Sequence, residues 1–287
     1  MIDFSECSRV PGRAYNGANG KKIAVLFQDS VWMLKFPPSA ADKPNELSYS
    51  NSCLSEHIAS TVANMLGIKA QETRLGIFRI GEKKRVVCGC RDFTEGRKVF
   101  YDFCSVKNTV IDSDTNGTGT DLDDVLDTID KQSFVDPVLL RNHFWDMFVV
   151  DALLGNFDRH NGNWGFLVDQ SSQKAEVAPL FDFGSCLLPQ ADDRIMQAVL
   201  DDESELMARI NLFPMSALKL KGKKISYVDF IGNHRDGLLA DSIKRIVARV
   251  DMEAIWNFID QVPFLSDLQR RFYKRYIKAR YDVLFCR

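Results

Sequence analysis

The chain has no surplus of charge of either sign: 37 Lys and Arg stand against 39 Asp and Glu, for a formal charge of -2. A general phosphate-backbone binder needs a basic surplus, so nucleic acid is not the expected partner. No apolar run approaches the roughly 20 residues of a membrane span, and Met1-Ile2-Asp3-Phe4-Ser5-Glu6 has neither the basic nor the apolar region of a leader. A cytoplasmic protein without membrane attachment is expected. A disulfide framework is absent too: the seven cysteines (Cys7, Cys53, Cys88, Cys90, Cys104, Cys186 and Cys286) are odd in number and scattered through apolar or strand-like stretches. Only Cys88-Gly89-Cys90 is a close pair, and a zinc site needs a second one. There is no internal repeat and no low-complexity tract.

What remains is an ordinary globular composition, 45% hydrophobic and 26% charged, in a chain long enough for two lobes with separate cores. Short strand-like runs at Ile23 to Phe27 and Val31 to Phe36, joined at Gln28-Asp29-Ser30, read as a hairpin. A polar stretch from Ser39 to Leu47 leads to a helix from about Ser50 to Leu66, stopped by Gly67. Strand-like runs return at Leu75 to Ile80 and Arg85 to Phe93. After a segment rich in Asp, Thr and Gly from Ser105 to Lys131, Asp136-Pro137 caps a helix running through Leu154. Three further helical repeats follow residue 240. The expectation is an α+β protein with a mainly β N-terminal lobe (1–94), a hinge near Asp92 to Gly96 and a mainly α C-terminal lobe (95–287).

The most informative stretch is the polar loop Gly155-Asn156-Phe157-Asp158-Arg159-His160-Asn161-Gly162-Asn163-Trp164, set directly after an apolar helix. It continues into a strand from Trp164 to Val168, a turn from Asp169 to Gln173, and a second strand ending in Phe181-Asp182-Phe183-Gly184. Pairing about that turn sets Asn163 opposite about residue 180 and Asn161 opposite about 182. Asp158, Asn163 and Asp182 therefore share one neighbourhood, and their hard oxygen donors suit magnesium. The spacing carries a mechanism as well. Catalytic loops of protein kinases set a base Asp five residues before a metal-binding Asn, with an Asp-Phe-Gly further on. Either motif alone is also ordinary turn chemistry; both in order, joined by a hairpin, point to phosphoryl transfer.

Such chemistry needs a strand lysine on the phosphates and a helix carboxylate to hold it. Lys35, in Trp32-Met33-Leu34-Lys35-Phe36-Pro37, is the candidate lysine. Glu56 on the following helix is the candidate carboxylate, although it projects about 150° from the apolar seam of Leu54, Ile58, Val62 and Met65. A solvated Glu56, with Glu46 in its place, is the alternative. Gly17, Ala18, Asn19 and Gly20, before the first strand, form a loop whose backbone N–H groups suit phosphate. Asp92 and Phe93 are the hinge residues expected beside the nucleotide.

At these residues the chain resembles the HipA-like serine/threonine protein kinases, most closely their short, stand-alone CtkA-like members. The resemblance runs through the Gly17 loop, Met33-Leu34-Lys35-Phe36-Pro37, Asn51 to Glu56, Asp158-Arg159-His160 with Asn163, Pro179 to Gly184, and Phe272-Tyr273-Lys274-Arg275-Tyr276. Its specific mark is the Asp preceding the His, the reverse of ordinary eukaryotic kinases. The resemblance implies a two-lobed kinase-like fold, ATP and Mg2+ as cofactors, Asp158 as catalytic base, Asn163 and Asp182 as metal ligands, Lys35 on the phosphates and His160 as an orienting residue in the catalytic loop. It also implies a protein substrate of unspecified identity and leaves autophosphorylation open. Two departures stand out. HipA carries a lysine before the Asn where this chain has Gly162, so that phosphate contact is either missing or replaced by Arg159. HipA also inhibits itself through a serine in its glycine-rich loop, and no serine lies between Val10 and Ala24. The antitoxin-binding N-terminal region of HipA is expected to be missing, and toxin–antitoxin membership stays open.

Rival readings are kept. A lipid or small-molecule kinase shares the Asp-Arg-His-x-x-Asn loop; a pseudokinase would bind nucleotide without transfer. A metallophosphoesterase is suggested by Asp158-x-His160 and Gly232-Asn233-His234, but four histidines in total leave little margin for two metals. Asp112-Ser113-Asp114-Thr115-Asn116-Gly117 with Asp123 imitates a calcium loop, against which a loop ending in an Asp121-capped helix is preferred.

Overall fold

A computed structural model describes residues 1–13, 15, 21–37, 50–94, 96–111, 115–234 and 237–286. Gly17, Ala18, Asn19, Gly20 and Glu46, with Asp112, Ser113 and Asp114 of the calcium-like loop, lie outside the described residues.

The N-terminal half is built on one sheet. Strands β1 (Ile2–Asp3), β2 (Lys22–Phe27), β3 (Ser30–Lys35), β4 (Thr73–Ile80) and β5 (Lys83–Arg91) lie in the order β1-β4-β5-β3-β2. The β2–β3 hairpin turns at Gln28 and Asp29, both with positive φ, as a tight turn between right-twisted strands requires. Strand alternation then divides the side chains. Val25, Trp32, Leu34 and Val87 meet Phe4 in a small core on one face, while Met33, Leu75, Cys88 and Cys90 join the main core on the other. The strand β1 and its anchor Phe4 are additions that periodicity did not reveal, and β5 ends at Arg91, short of Phe93.

Helix α1 (Ser52–Met65) lies between this sheet and the C-terminal half. It packs on β4 and β5 and also reaches the helical lobe, where Asn51 donates to the Ala191 carbonyl (2.7 Å) and accepts from Gln269 (3.1 Å). Covered on both sides, it buries Cys53, Leu54, Ser55, Glu56, Ile58, Ala59, Ser60, Val62 and Ala63. A single apolar seam is the signature of a helix on a surface, and this helix is not on one.

A second sheet, β6 (Lys98–Asp102), β7 (Gly165–Asp169) and β8 (Ala175–Val177), and the helices α2 (Phe103–Val110), α3 (Leu122–Lys131) and α4 (Pro137–Leu154) follow the hinge. Asp136 caps α4, Pro137 occupies its first turn, and Gly155 ends it in the left-handed conformation at φ 65°. The β7–β8 register pairs Phe166 with Val177, Leu167 with Glu176 and Val168 with Ala175, centred on Ser171-Ser172 as the sequence implies. The second strand stops at Val177, however. Beyond it Leu180 bridges Ala70 in parallel, and Asp182 turns out with φ 60°. The remainder is mainly helical: α5 (Asp193–Asp201), α6 (Glu203–Asn211), a small hairpin of β9 (Lys219–Leu220) and β10 (Lys223–Lys224), then α7 (Tyr227–Asn233), α8 (Gly237–Val247), α9 (Met252–Gln261) and α10 (Asp267–Phe285). No helix among the described residues is long and apolar enough to cross a membrane.

Candidate active site

Lys35 closes β3 on the face turned toward α1. Its ammonium donates at 2.8 Å to Glu56 Oε2 and at 2.8 Å to Asp182 Oδ1, so one cation joins strand, helix and the Asp-Phe-Gly turn. Burial opposes that charge, but Asp182 and then Glu56 carry the lysine well above its ordinary value. Lys35 in turn draws the Asp182 carboxyl down to about 2 against the cost of burial. Glu56 is 1% exposed, which rules out a solvated helix face. Its distance from the apolar seam misleads because the sheet and the second lobe close over α1 from both sides.

Asp182 keeps its positive φ because the chain must leave the β8 line there; among non-glycine residues Asp is one of the better tolerated in this region. Asp158 lies across from it. Burial raises the Asp158 carboxyl above its ordinary value; His160 opposes that rise and Asp182 adds to it. Asn163, almost fully buried, donates its amide to the Asp158 carbonyl at 2.9 Å, which leaves the amide oxygen as the group able to meet a cation. Asp182 and Asn163 thus offer hard oxygens to a small divalent ion that takes its remaining ligands from water and phosphate. Among the described residues there is no cluster of three or more His, Cys, Asp or Glu set to hold a metal. The two-metal hydrolase reading fails on the same geometry: His234 ends α7, stacked on Phe230 at 4.2 Å, and His160 points to solvent.

His160 shapes the loop. Its Nδ1 accepts the Gly162 N–H at 3.0 Å, and a Cβ on residue 162 would lie 3.0 Å from the imidazole Cε1. A side chain at 162 would press on this exposed ring, which would have to shift by a few tenths of an ångström to admit it.

Arg159 does not substitute for the HipA lysine. It is buried, paired with Asp151 at 2.9 Å and 3.2 Å, donates to the Asn163 carbonyl at 2.9 Å and to the Phe181 carbonyl, and lies 4.7 Å over the Phe183 ring. Its guanidinium ties the catalytic loop to the Asp-Phe-Gly turn from behind. The sequence did contain a signal for this role, since Asp151 is a carboxylate inside the apolar run Met147 to Leu154, and such a group needs a buried partner. Four contacts that the sequence did not announce complete the support. Tyr227 donates its hydroxyl to the Asn156 carbonyl at 2.6 Å, Phe157 packs on Phe213 at 5.3 Å, and Asn161 donates to the carbonyls of Gly117 and Gly119 at 2.7 and 2.8 Å. Lys107, fully buried, also donates to Gly119 at 2.7 Å and pairs with Asp124 at 3.2 Å, while Asp121 caps α3.

At the hinge the Asp92 carboxylate faces the protein. It accepts from Arg13 (2.8 Å), Tyr15 (2.9 Å) and both the N–H and hydroxyl of Thr94 (2.8 and 2.6 Å). Burial alone would raise it, but these donors hold it below its ordinary value. Its N–H is used by the Val31 carbonyl. Phe93 forms a half-buried trio with Phe100 and Phe181, ring centroids 5.3 to 5.8 Å apart. Lys22 is directly opposite Lys35 on β2, and burial draws it below its ordinary value while Asp182 sustains its charge.

A lysine bound to both a helix Glu and the Asp of Asp-Phe-Gly is the arrangement of a kinase cleft. The sequence pattern of the HipA-like C-terminal domain matches residues 15–256. The chain belongs to this family. It is 46% identical over 272 residues to the serine/threonine-protein kinase CtkA of Helicobacter pylori, an alignment covering 94% of this chain and 82% of that relative. The crystal structure of the proinflammatory kinase CtkA from H. pylori superposes with a TM-score of 0.92 at 43% identity, covering 99% of this chain and 95% of that one. HipA of Shewanella oneidensis, solved with HipB and operator DNA, superposes with a TM-score of 0.54 at 18% identity over 96% of this chain and 67% of that one, a likeness of fold alone. The α+β two-lobed kinase fold and the serine/threonine-kinase class expected from the sequence are those of this HipA-like protein.

Proposed function

We propose that the cleft transfers the γ-phosphate of Mg-ATP to a serine or threonine hydroxyl of a polypeptide, with Asp158, Lys35, Glu56, Asn163 and Asp182 as its working residues. The observation that carries this is the Lys35 ammonium at 2.8 Å from both Glu56 and Asp182, with Asp158 facing the same cleft. When bound, magnesium supplies charge neutralisation of the phosphates. Asp182, held ionised by Lys35, and Asn163, through its amide oxygen, would hold it. Lys35 orients the phosphates from the N-terminal lobe, and Glu56 keeps Lys35 from swinging away. Asp158 accepts a hydrogen bond from the acceptor hydroxyl and takes its proton as the hydroxyl oxygen bonds to the γ-phosphorus and the bond from that phosphorus to the bridging oxygen breaks, with ADP as the leaving group. The hinge offers the adenine the backbone after Asp92 and the Phe93, Phe100 and Phe181 rings; the Asp92 side chain itself holds the segment carrying Arg13 and Tyr15. His160 acts on the loop through the Gly162 N–H and touches no reactant.

We divide the lobes between residues 94 and 95, after the Thr94 contacts to Asp92. The seven thiols are unpaired, in keeping with a reducing cytoplasm. The test is transfer from γ-labelled ATP to a mixed peptide library and to the protein itself. Label on Ser or Thr that vanishes in Asp158→Asn supports the reading; ATP binding with no label on any acceptor overturns it.

A further inference from the structure

The segment following Phe213 folds over the catalytic loop at both of its ends. Phe213 packs on Phe157 and Tyr227 bonds the Asn156 carbonyl, so the stretch between them is held beside Asp158. In its middle the β9–β10 hairpin is tied in again, by Lys219 N–H to the Thr120 carbonyl at 2.8 Å and by Thr120 Oγ1 to the Ala217 carbonyl at 2.7 Å. Thr120 follows Gly119, whose carbonyl takes the Asn161 amide of the catalytic loop.

The hairpin has four lysines in six residues, Lys219, Lys221, Lys223 and Lys224, all exposed. It is also rigid. Lys221 and Gly222 have φ 51° and 78°, the left-handed pair of a type I′ turn. Its register sets Lys219 directly opposite Lys224. Like charges across a strand pair are destabilising, so this face is built at a cost to the hairpin itself. The neighbouring α3 does not relieve it: Asp121 caps its own helix, Asp124 pairs with Lys107, Asp127 with Lys131 and Asp130 with Arg141, leaving Asp123. Among the described residues no ion pair involves the four hairpin lysines, and Lys224 is one of the charges that favour the ionised form of Asp158.

We propose that the β9–β10 hairpin recognises the acceptor, and that the acceptor is an acidic polypeptide segment carrying Glu or Asp beside its Ser or Thr. This rests on the kinase reading of the cleft and adds the substrate class. Carboxylates flanking the hydroxyl would meet Lys219 and Lys224 while the hydroxyl lies at Asp158. A like-charge pair that is unfavourable alone becomes favourable once an anion bridges it.

The test is direct binding, read by fluorescence anisotropy with labelled peptides bearing a central Ser flanked by Glu or by Lys, in Mg2+ and a non-hydrolysable ATP analogue. The Glu-flanked peptide should bind at least about tenfold tighter, and Lys219→Glu with Lys224→Glu should reverse the preference, on the scale of two exposed ion pairs made repulsive. Lys219→Ala with Lys224→Ala, a gentler change, should abolish the preference. Lys83→Glu with Lys84→Glu, at the start of β5 in the N-terminal sheet, should retain it. Equal binding of both peptides, tighter binding of single-stranded DNA than of the Glu peptide, or the same loss in the Lys83/Lys84 variant overturns the proposal. Selective binding without any transfer by the unmodified protein would sink the kinase reading alone; transfer without selectivity would sink this one alone.

Discussion

Lys35 Nζ lies 2.8 Å from Glu56 Oε2 across the junction of β3 and α1, and the second oxygen of that carboxylate, Glu56 Oε1, is buried without a hydrogen-bond partner among the described residues. The pair is therefore held by the lysine more than by its surroundings. Lys35→Met leaves an uncompensated buried carboxylate and should cost roughly 3–5 kcal/mol of stability, as when one partner of a buried pair is removed. Lys35→Met with Glu56→Gln should regain most of that loss without regaining ATP affinity. Urea denaturation and calorimetric ATP titration of both variants measure the two effects. A double variant as unstable as the single would mean that Lys35 matters through packing.

The two aspartates of the cleft should separate by role. Asp182→Asn should lose magnesium-dependent ATP binding together with transfer, because it removes the carboxylate proposed to hold the metal. Asp158→Asn should keep much of its Mg-ATP affinity while transfer falls by roughly 100-fold or more, the scale of a positioned acid–base group. Paired titrations and transfer assays check both. Equal loss of ATP affinity in the two variants would make Asp158 a metal ligand as well.

The pH profile should carry the mark of Asp158. In the proposed role of Asp158 as base, transfer needs its carboxylate, and burial raises that group, so the acid limb of activity should lie higher than an ordinary aspartate would set it. His160 opposes the rise of the Asp158 carboxyl, so His160→Asn should move the acid limb to higher pH. An unmoved limb would show that another group controls it.

Stability should respond to two other histidines. Burial lowers His57 and His143 from 6.5 to about 4, so between those values the unfolded chain binds protons that the folded chain does not. Stability should be fully present above about pH 6.5 and decline as pH falls toward 4. Denaturation midpoints at pH 7.5, 6 and 5 measure the slope, which His57→Gln with His143→Gln should flatten. A slope unchanged in that variant would show that these histidines do not set the acid sensitivity between pH 7.5 and 5; the Asp182 contribution lies lower, present above the ordinary aspartate value and lost as pH falls toward 2.

Several features were legible in the sequence because they depend on contacts a few residues apart. The β2–β3 hairpin, the Asp136-Pro137 start and Gly155 stop of α4, and the β7–β8 register around Ser171-Ser172 follow from side-chain period and turn chemistry. The five-residue step from Asp158 to Asn163, followed by Asp182-Phe183-Gly184, indicated phosphoryl transfer for the same reason. Tertiary structure alone decided what lies between distant segments. It buried Glu56 against Lys35 because α1 is covered on two sides, and a one-sided apolar seam cannot report the second cover. It turned Arg159 inward to Asp151 instead of toward phosphate, because a carboxylate within an apolar helix must be paired. It set Asp182 out of strand geometry at φ 60°, and it brought four lysines of the β9–β10 hairpin beside a catalytic loop some sixty residues earlier in the chain. Those placements come from packing whole elements together, and no local period encodes them.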